Sequence, residues 1–144
     1  MARIEKSIVI NADTQTIDQY AINAHTYPQW FAGVESVEVD GTFPEAGGQV
    51  KAQYKAAGVT FELLMTTREI VHGSHIIFDM EGMITGAQHW SYAPAGGGTQ
   101  VTCVFDYDMP GGALGAIADK LVVERMNNGN IENSLANLKK IVEG

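Results

Sequence analysis

The sequence contains little that would staple, anchor or electrostatically steer it. Cys103 is the single cysteine in 144 residues, so an internal disulfide is excluded, and no Cys-x-x-Cys or His-x-x-x-His pair offers metal-ligand spacing. No apolar run approaches the roughly eighteen residues of a membrane span, and the opening MARIEKSIVI holds none of signal-peptide length. A soluble, cytoplasmic protein without membrane insertion is the expectation. Basic side chains are scarce as well: nine Lys and Arg stand against seventeen Asp and Glu, a formal net charge of −8, with no local basic cluster. Such a chain repels phosphate backbones and anionic surfaces, so nucleic acid is not an expected partner. Linkers, repeats and low-complexity tracts are missing too, because the sixteen glycines and four prolines gather mostly at turns. One domain over residues 1–144 follows, long enough to bury a substantial core.

What is present is alternation. In VTCVFDYDM, Val101, Cys103, Phe105, Tyr107 and Met109 share one face, and Thr102, Asp106 and Asp108 the other. That two-residue period marks a half-buried strand. The same pattern runs through RIEKSIVI, VESVEVDGTF, QVKAQYKAA, VTFELLMTTREIV, HIIFDME and MITGAQHWSYAP, separated by the turns PEAGG, AG, HGS and AGGG. After the first strand, Asp13 is a candidate N-cap and Pro28 breaks the helical pattern, predicting two short helices over 13–23 and 27–33. Six consecutive strands then form an antiparallel meander, with the first strand beside the last. Pro110, Gly111 and Gly112 end the last strand, and Leu114, Ile117, Leu121, Ile131, Leu135, Leu138 and Val142 recur at spacings of three and four. They predict a helix over 113–142, roughly 45 Å long, with a bend or irregularity at Asn127, Asn128, Gly129 and Asn130.

Four segments in this order carry a resemblance over essentially the whole chain: SIVINADTQTIDQY, YPQWFAGVESVEV, GGGTQVTCVFDYDMPGGALG and ENSLANLKKIVE. The chain resembles the START, polyketide cyclase/dehydrase and birch-pollen-allergen (SRPBCC) superfamily. The resemblance implies an α+β helix-grip fold: a curved seven-stranded antiparallel sheet around a long C-terminal helix, two short helices between strands 1 and 2, and a cavity between sheet and helix. It also implies a hydrophobic small molecule as partner, since members bind lipids, sterols, polyketides, quinones or plant metabolites. Some members are catalysts and others carriers, so the fold leaves function open.

The inward phase of the predicted strands collects Tyr54, Phe61, Leu63, Met65, Ile76, Phe78, Met80, Gln88, Trp90, Tyr92, Cys103, Phe105 and Tyr107. The helix adds Ile117, Leu121 and the polar Glu124. Aromatic walls with adaptable thioethers suit a flat or elongated apolar ligand, and some of these residues are simply core. Trp30, with Tyr27 and Phe31 on a Pro-broken helix, either plugs or gates the open end of the sheet. Binding or transport of a hydrophobic molecule is the expected function, with no cofactor. A polyketide cyclase or aromatase, with Glu124 or Tyr107 moving protons at a dry site, is the alternative. A filled-core structural adaptor is a third. The four histidines do not form a metal set, Gly96–Gly98 joins two strands rather than cradling phosphate, and Asp106 with Asp108 reads as a solvated strand face. Cys103 reads as a buried thiol. Ligand identity and oligomeric state are not legible.

Overall fold

A computed structural model describes residues 2–56, 58–108 and 120–144. The described elements run β1 (Ala2–Ile10), α1 (Thr14–Ala21), a short 3-10 turn (Ala24–Thr26), α2 (Tyr27–Trp30), β2 (Val34–Val39), β3 (Gln49–Ala56), β4 (Val59–Val71), β5 (His75–Gly82), β6 (Thr85–Ala95), β7 (Gly98–Asp108) and α3 (Lys120–Glu143). The strands form one curved antiparallel sheet in the order β1-β7-β6-β5-β4-β3-β2, so the meander closes with the first strand on the last. Together with α3, and with α1 and α2 between the first two strands, this is the helix-grip architecture.

The alternation decides which side of each strand is dry. Along β7, Val101, Cys103, Phe105 and Tyr107 are buried while their neighbours are partly or fully exposed. Pairing holds this phase across the sheet, with Trp90 opposite Cys103, Gln88 opposite Phe105 and Phe78 opposite Gln88. The register shifts between Val34 and Ser36, and again between Thr67 and Glu69. Such irregularities bend and twist a strand, as a sheet that curves around a helix requires.

Side-chain hydrogen bonds explain where several elements begin and end. Asp13 caps α1 by accepting from the Thr16 amide at 2.8 Å. The second helix is shorter than its predicted 27–33 span: the Phe31 amide donates to Tyr27, the backbone then turns extended, and Gly33 adopts a positive φ of 96°. β2 stops at Val39 instead of running to Phe43, because the Asp40 carboxylate accepts from the amides of Thr42 and Phe43.

α3 buries Val123, Asn127, Ile131, Ser134, Leu135 and Leu138, one stripe of a helix face. It docks on β1 and α2. Lys6 pairs with Glu132 at 2.9 Å, Lys139 donates to the Val9 carbonyl, and Ser134 accepts from the Ala32 amide at 2.8 Å. The helix assignment is continuous through Asn127–Asn130, where the sequence led us to expect a bend or irregularity. The predicted start at 113, together with Met109, Leu114 and Ile117, lies outside the described residues.

At the other end of the sheet, Tyr92 Oη donates to Asp18, and His72 sits between Asp18 and Glu45 at 3.4 and 3.1 Å. This chain ties α1 and the β2–β3 connection to the β4–β5 turn. Phe43 of the same connection stacks on Phe78. Glu45 and then Asp18 raise the His72 pKa above its ordinary 6.5. A raised histidine pKa means that the tie contributes fully just below the histidine's unfolded-state pKa and is lost as pH rises through the folded-state value. NMR titration of His72 is therefore expected to give a midpoint above 6.5, lowered by Glu45→Gln. An ordinary midpoint unchanged by the substitution would mean no tie.

Candidate functional site

The concave face is built from one phase of five neighbouring strands. Tyr54, Phe61, Leu63, Met65, Phe78, Met80, Gln88, Trp90, Tyr92, Phe105 and Tyr107 are all buried on it, as are Ile76 and Cys103. Trp30 is buried with them, at one end of the groove. Its indole lies 5.6 Å from that of Trp90 and its Nε1 donates to Thr26 Oγ1. Tyr27 and Phe31 close the same end, and the void left among them and Ile76, Phe78 and Trp90 is only about 10 Å³. That is room for about one water and not for a ligand.

Polar groups interrupt this wall at a few positions. Gln88 is fully buried; its amide oxygen accepts from Trp90 Nε1 at 2.8 Å, while among the described residues its nitrogen meets the thioethers of Met80 and Met65, at 3.2 and 3.3 Å. Sulfur is a weak acceptor, so this amide is held loosely on the donor side. Nearer α3, Tyr54 Oη donates to Asn127 Oδ1 at 3.1 Å and accepts from Asn130 Nδ2 at 2.9 Å. Burial pushes Tyr54 up to about 12, against the opposing Asn130 hydrogen bond. The tyrosine therefore stays a neutral hydrogen-bonding group. The sequence marked Asn127 and Asn130 as helix weaknesses. Their alignment with Val123 and Ile131 on the buried stripe is the signal of an inward polar role.

The two acid–base candidates are brought to one place. A cleft of about 410 Å³ opens between the start of β1, the end of β7 and α3, lined by Ala2, Arg3, Ile4, Tyr107, Glu124, Arg125 and Asn128. Glu124 is half-buried. Burial raises the Tyr107 pKa; the Asn127 amide opposes the rise and the Glu124 charge adds to it. Leu121 is placed on α3, and Ile117 falls outside the described residues.

Other candidates go elsewhere. Asp106 pairs with Arg3 at 3.2 Å on the outer face. His75 bonds Glu69 at 2.6 Å and packs against the exposed His89, while His25 is exposed near α2. Among the described residues, no group of three or more His, Cys, Asp and Glu side chains is arranged to hold a metal. Cys103 is buried, and burial pushes its thiol pKa well above the ordinary value, which disfavours the thiolate. No helix of the described residues is long and apolar enough to cross a membrane.

The family model for polyketide cyclase / dehydrase and lipid transport proteins matches residues 1–143. The chain belongs to that family. No curated protein matches it. Among solved structures, the family fold is shared with TTHA0849 from Thermus thermophilus, at 22% identity and a TM-score of 0.82, covering 98% of this chain and 97% of that one. A START superfamily protein from Mycobacterium smegmatis matches at 15% identity and a TM-score of 0.80, over 98% of this chain and 97% of that one. The di-domain ARO/CYC StfQ from the steffimycin biosynthetic pathway matches at 15% identity and a TM-score of 0.78, covering 98% of this polyketide-cyclase-family chain but 50% of its own. Likeness at these identities establishes the shared fold.

Proposed function

We propose that the primary activity of this family member is reversible binding of a hydrophobic small molecule, a lipid, polyketide or similar compound, between the concave face of the sheet and α3. The observation that carries this reading is the fully buried Gln88, set in a wall of aromatic and thioether side chains, whose amide donors meet sulfur among the described residues. An apolar lining with a few placed polar groups is the usual composition of a small-molecule site. Trp30, Tyr54, Phe61, Leu63, Met65, Phe78, Met80, Trp90, Tyr92 and Phe105 supply contact area in this reading. A cyclase is the second reading, supported by the electrostatic influence of Glu124 on Tyr107 at the same cleft.

Native mass spectrometry of freshly purified protein is expected to show a retained ligand mass; apoprotein alone, with no saturable binding of an apolar dye, would favour a filled-core adaptor. Glu124→Gln keeps the shape and removes the charge. It is expected to shift affinity several-fold for polar-headed apolar ligands and to leave a plain hydrocarbon probe unaffected. Equal binding of both by mutant and wild type would take Glu124 out of the site.

A further inference from the structure

The imidazole of His72 stands between two carboxylates and turns a different ring nitrogen toward each. Nδ1 lies 3.4 Å from Asp18 Oδ2, and Nε2 lies 3.1 Å from Glu45 Oε1. Ionised carboxylates only accept, and a neutral imidazole carries a single N–H. Both contacts are hydrogen bonds at the same time only in the imidazolium, which has two. Among the described residues, the charges that bear on His72 are Glu45 of the β2–β3 connection and Asp18 of α1, with Tyr92 of β6 donating to Asp18 from behind. On the strands that flank the His72 turn, Arg68 is paired with Asp79 and Glu69 with His75.

Loss of the His72 proton affects the two carboxylates unequally. The Asp18 side chain is 10% exposed and keeps the Tyr92 hydroxyl as a donor, whereas that of Glu45 is 63% exposed. Leaving a buried carboxylate against a ring lone pair costs more than returning an exposed one to water. The remaining N–H therefore stays with Asp18, and Glu45 is let go. Glu45 belongs to a connection that is compact within itself: Asp40 accepts from the Thr42 and Phe43 amides, Glu45 N–H donates to the Thr42 carbonyl, and Gly48 N–H donates to the Glu45 carbonyl. Its seat on the sheet is narrow. The Gly47 amide donates to the Thr67 carbonyl at 2.8 Å, the Thr67 amide donates to the Gly48 carbonyl at 2.9 Å, and Phe43 stacks on Phe78. The buried Thr67 hydroxyl has no hydrogen bond among the described residues, so the seat is not fully satisfied. Phe78 in turn borders the small void shared with Tyr27, Trp30, Phe31 and Trp90. Lifting the connection thus uncovers the closed end of the groove.

We propose that Asp18, His72 and Glu45 form a proton-operated latch, which holds the β2–β3 connection and Phe43 over the closed end of the groove while His72 is charged and releases them when it is neutral. The raised pKa of His72 puts the release above the ordinary histidine range, with the connection held on the acid side. Exposed ion pairs are individually weak, so the latch biases a local opening by about fivefold rather than locking it. It stands on the geometry around His72 and not on the ligand reading, and its test needs no ligand.

Amide hydrogen exchange of the full chain, followed residue by residue by NMR at about pH 5.5 and about pH 8.5, reads that opening. Both conditions leave ordinary carboxylates ionised and lie on either side of the histidine range. After correction for intrinsic exchange rates, the Gly47 and Thr67 amides, which bond across the seat, are expected to lose protection about fivefold at the higher pH. The Val34 amide, bonded to the Phe31 carbonyl at 3.0 Å outside the latch, is expected to keep its own. Glu45→Gln changes an exposed side chain and leaves a group that can either accept from an N–H or donate to a lone pair. It is expected to make Gly47 and Thr67 protection the same at both pH values. Equal protection at both pH values in wild type, or a loss that survives Glu45→Gln, overturns the latch. So does a parallel loss at Val34, which reports a general softening of the fold instead of a local release.

Discussion

Trp90→Ala is expected to destabilise the protein by about 3–5 kcal/mol and to weaken binding of an apolar dye. The indole is 4% exposed and packs edge-on against Trp30 and Phe31, with centroids 5.6 and 5.5 Å away. Truncation empties that space. The void already present at this end is about 10 Å³, so there is no slack cavity to merge with and the neighbours must either collapse or leave a hole. A second loss is polar: Trp90 Nε1 is the donor to Gln88 Oε1, and without it a fully buried amide oxygen has no partner in the wall. Trp90→Phe separates the two effects, keeping most of the packing and removing the donor, and is expected to fall between alanine and wild type. Urea unfolding measures the series. A loss below about 1 kcal/mol for the alanine variant would mean that the aromatic cluster repacks freely and does not brace the groove.

Gly86→Ala is expected to be nearly as damaging, at about 3 kcal/mol, although it adds one methyl group. Gly86 has a φ of 133°, which residues with a Cβ rarely adopt, and a Cβ placed there would lie 2.0 Å from the Asp106 carbonyl oxygen and 2.9 Å from Tyr107 Cα. Both contacts are backbone, so no side chain can swing aside. Gly86 is directly opposite Tyr107 in the β6–β7 register, so relieving the clash moves the strand that carries Tyr107. Reduced stability and altered ligand binding are therefore expected together. Gly129→Ala is the internal control: a Cβ at Gly129 meets nothing within 4 Å, and the residue sits within α3. There alanine is expected to stabilise the chain by about 0.5–1 kcal/mol. Comparable losses at both glycines in thermal unfolding would show that the β6–β7 contact is not what makes Gly86 necessary.

Most of the fold was legible because strand alternation is a property of the backbone itself. Successive side chains on an extended chain point to opposite faces whatever the strand pairs with, so Val101, Cys103, Phe105 and Tyr107 were committed to one face before any partner was known. The Asp13 cap was readable for a similar reason, since its acceptor reaches an amide only three residues away. The wall of the site came with the strands: once their phase and order were set, Phe78, Gln88, Trp90 and Phe105 had to share the concave face.

The helix is continuous at Asn127 and Asn130 because local propensity is weak evidence against a helix that tertiary contacts support. Their partner is Tyr54, more than seventy residues earlier in the chain. Asp18 was missed likewise: a residue on an ordinary-looking first helix becomes the junction between Tyr92 and His72. By itself, then, the sequence determined the strands, their faces, the short helices and the apolar character of the groove, all consequences of periodicity and nearest-neighbour chemistry. Only the tertiary structure decided which polar groups meet inside that groove and which are left without partners. Those pairings depend on how α3 docks on the sheet and on the β6–β7 register, which bring together atoms that no local spacing relates.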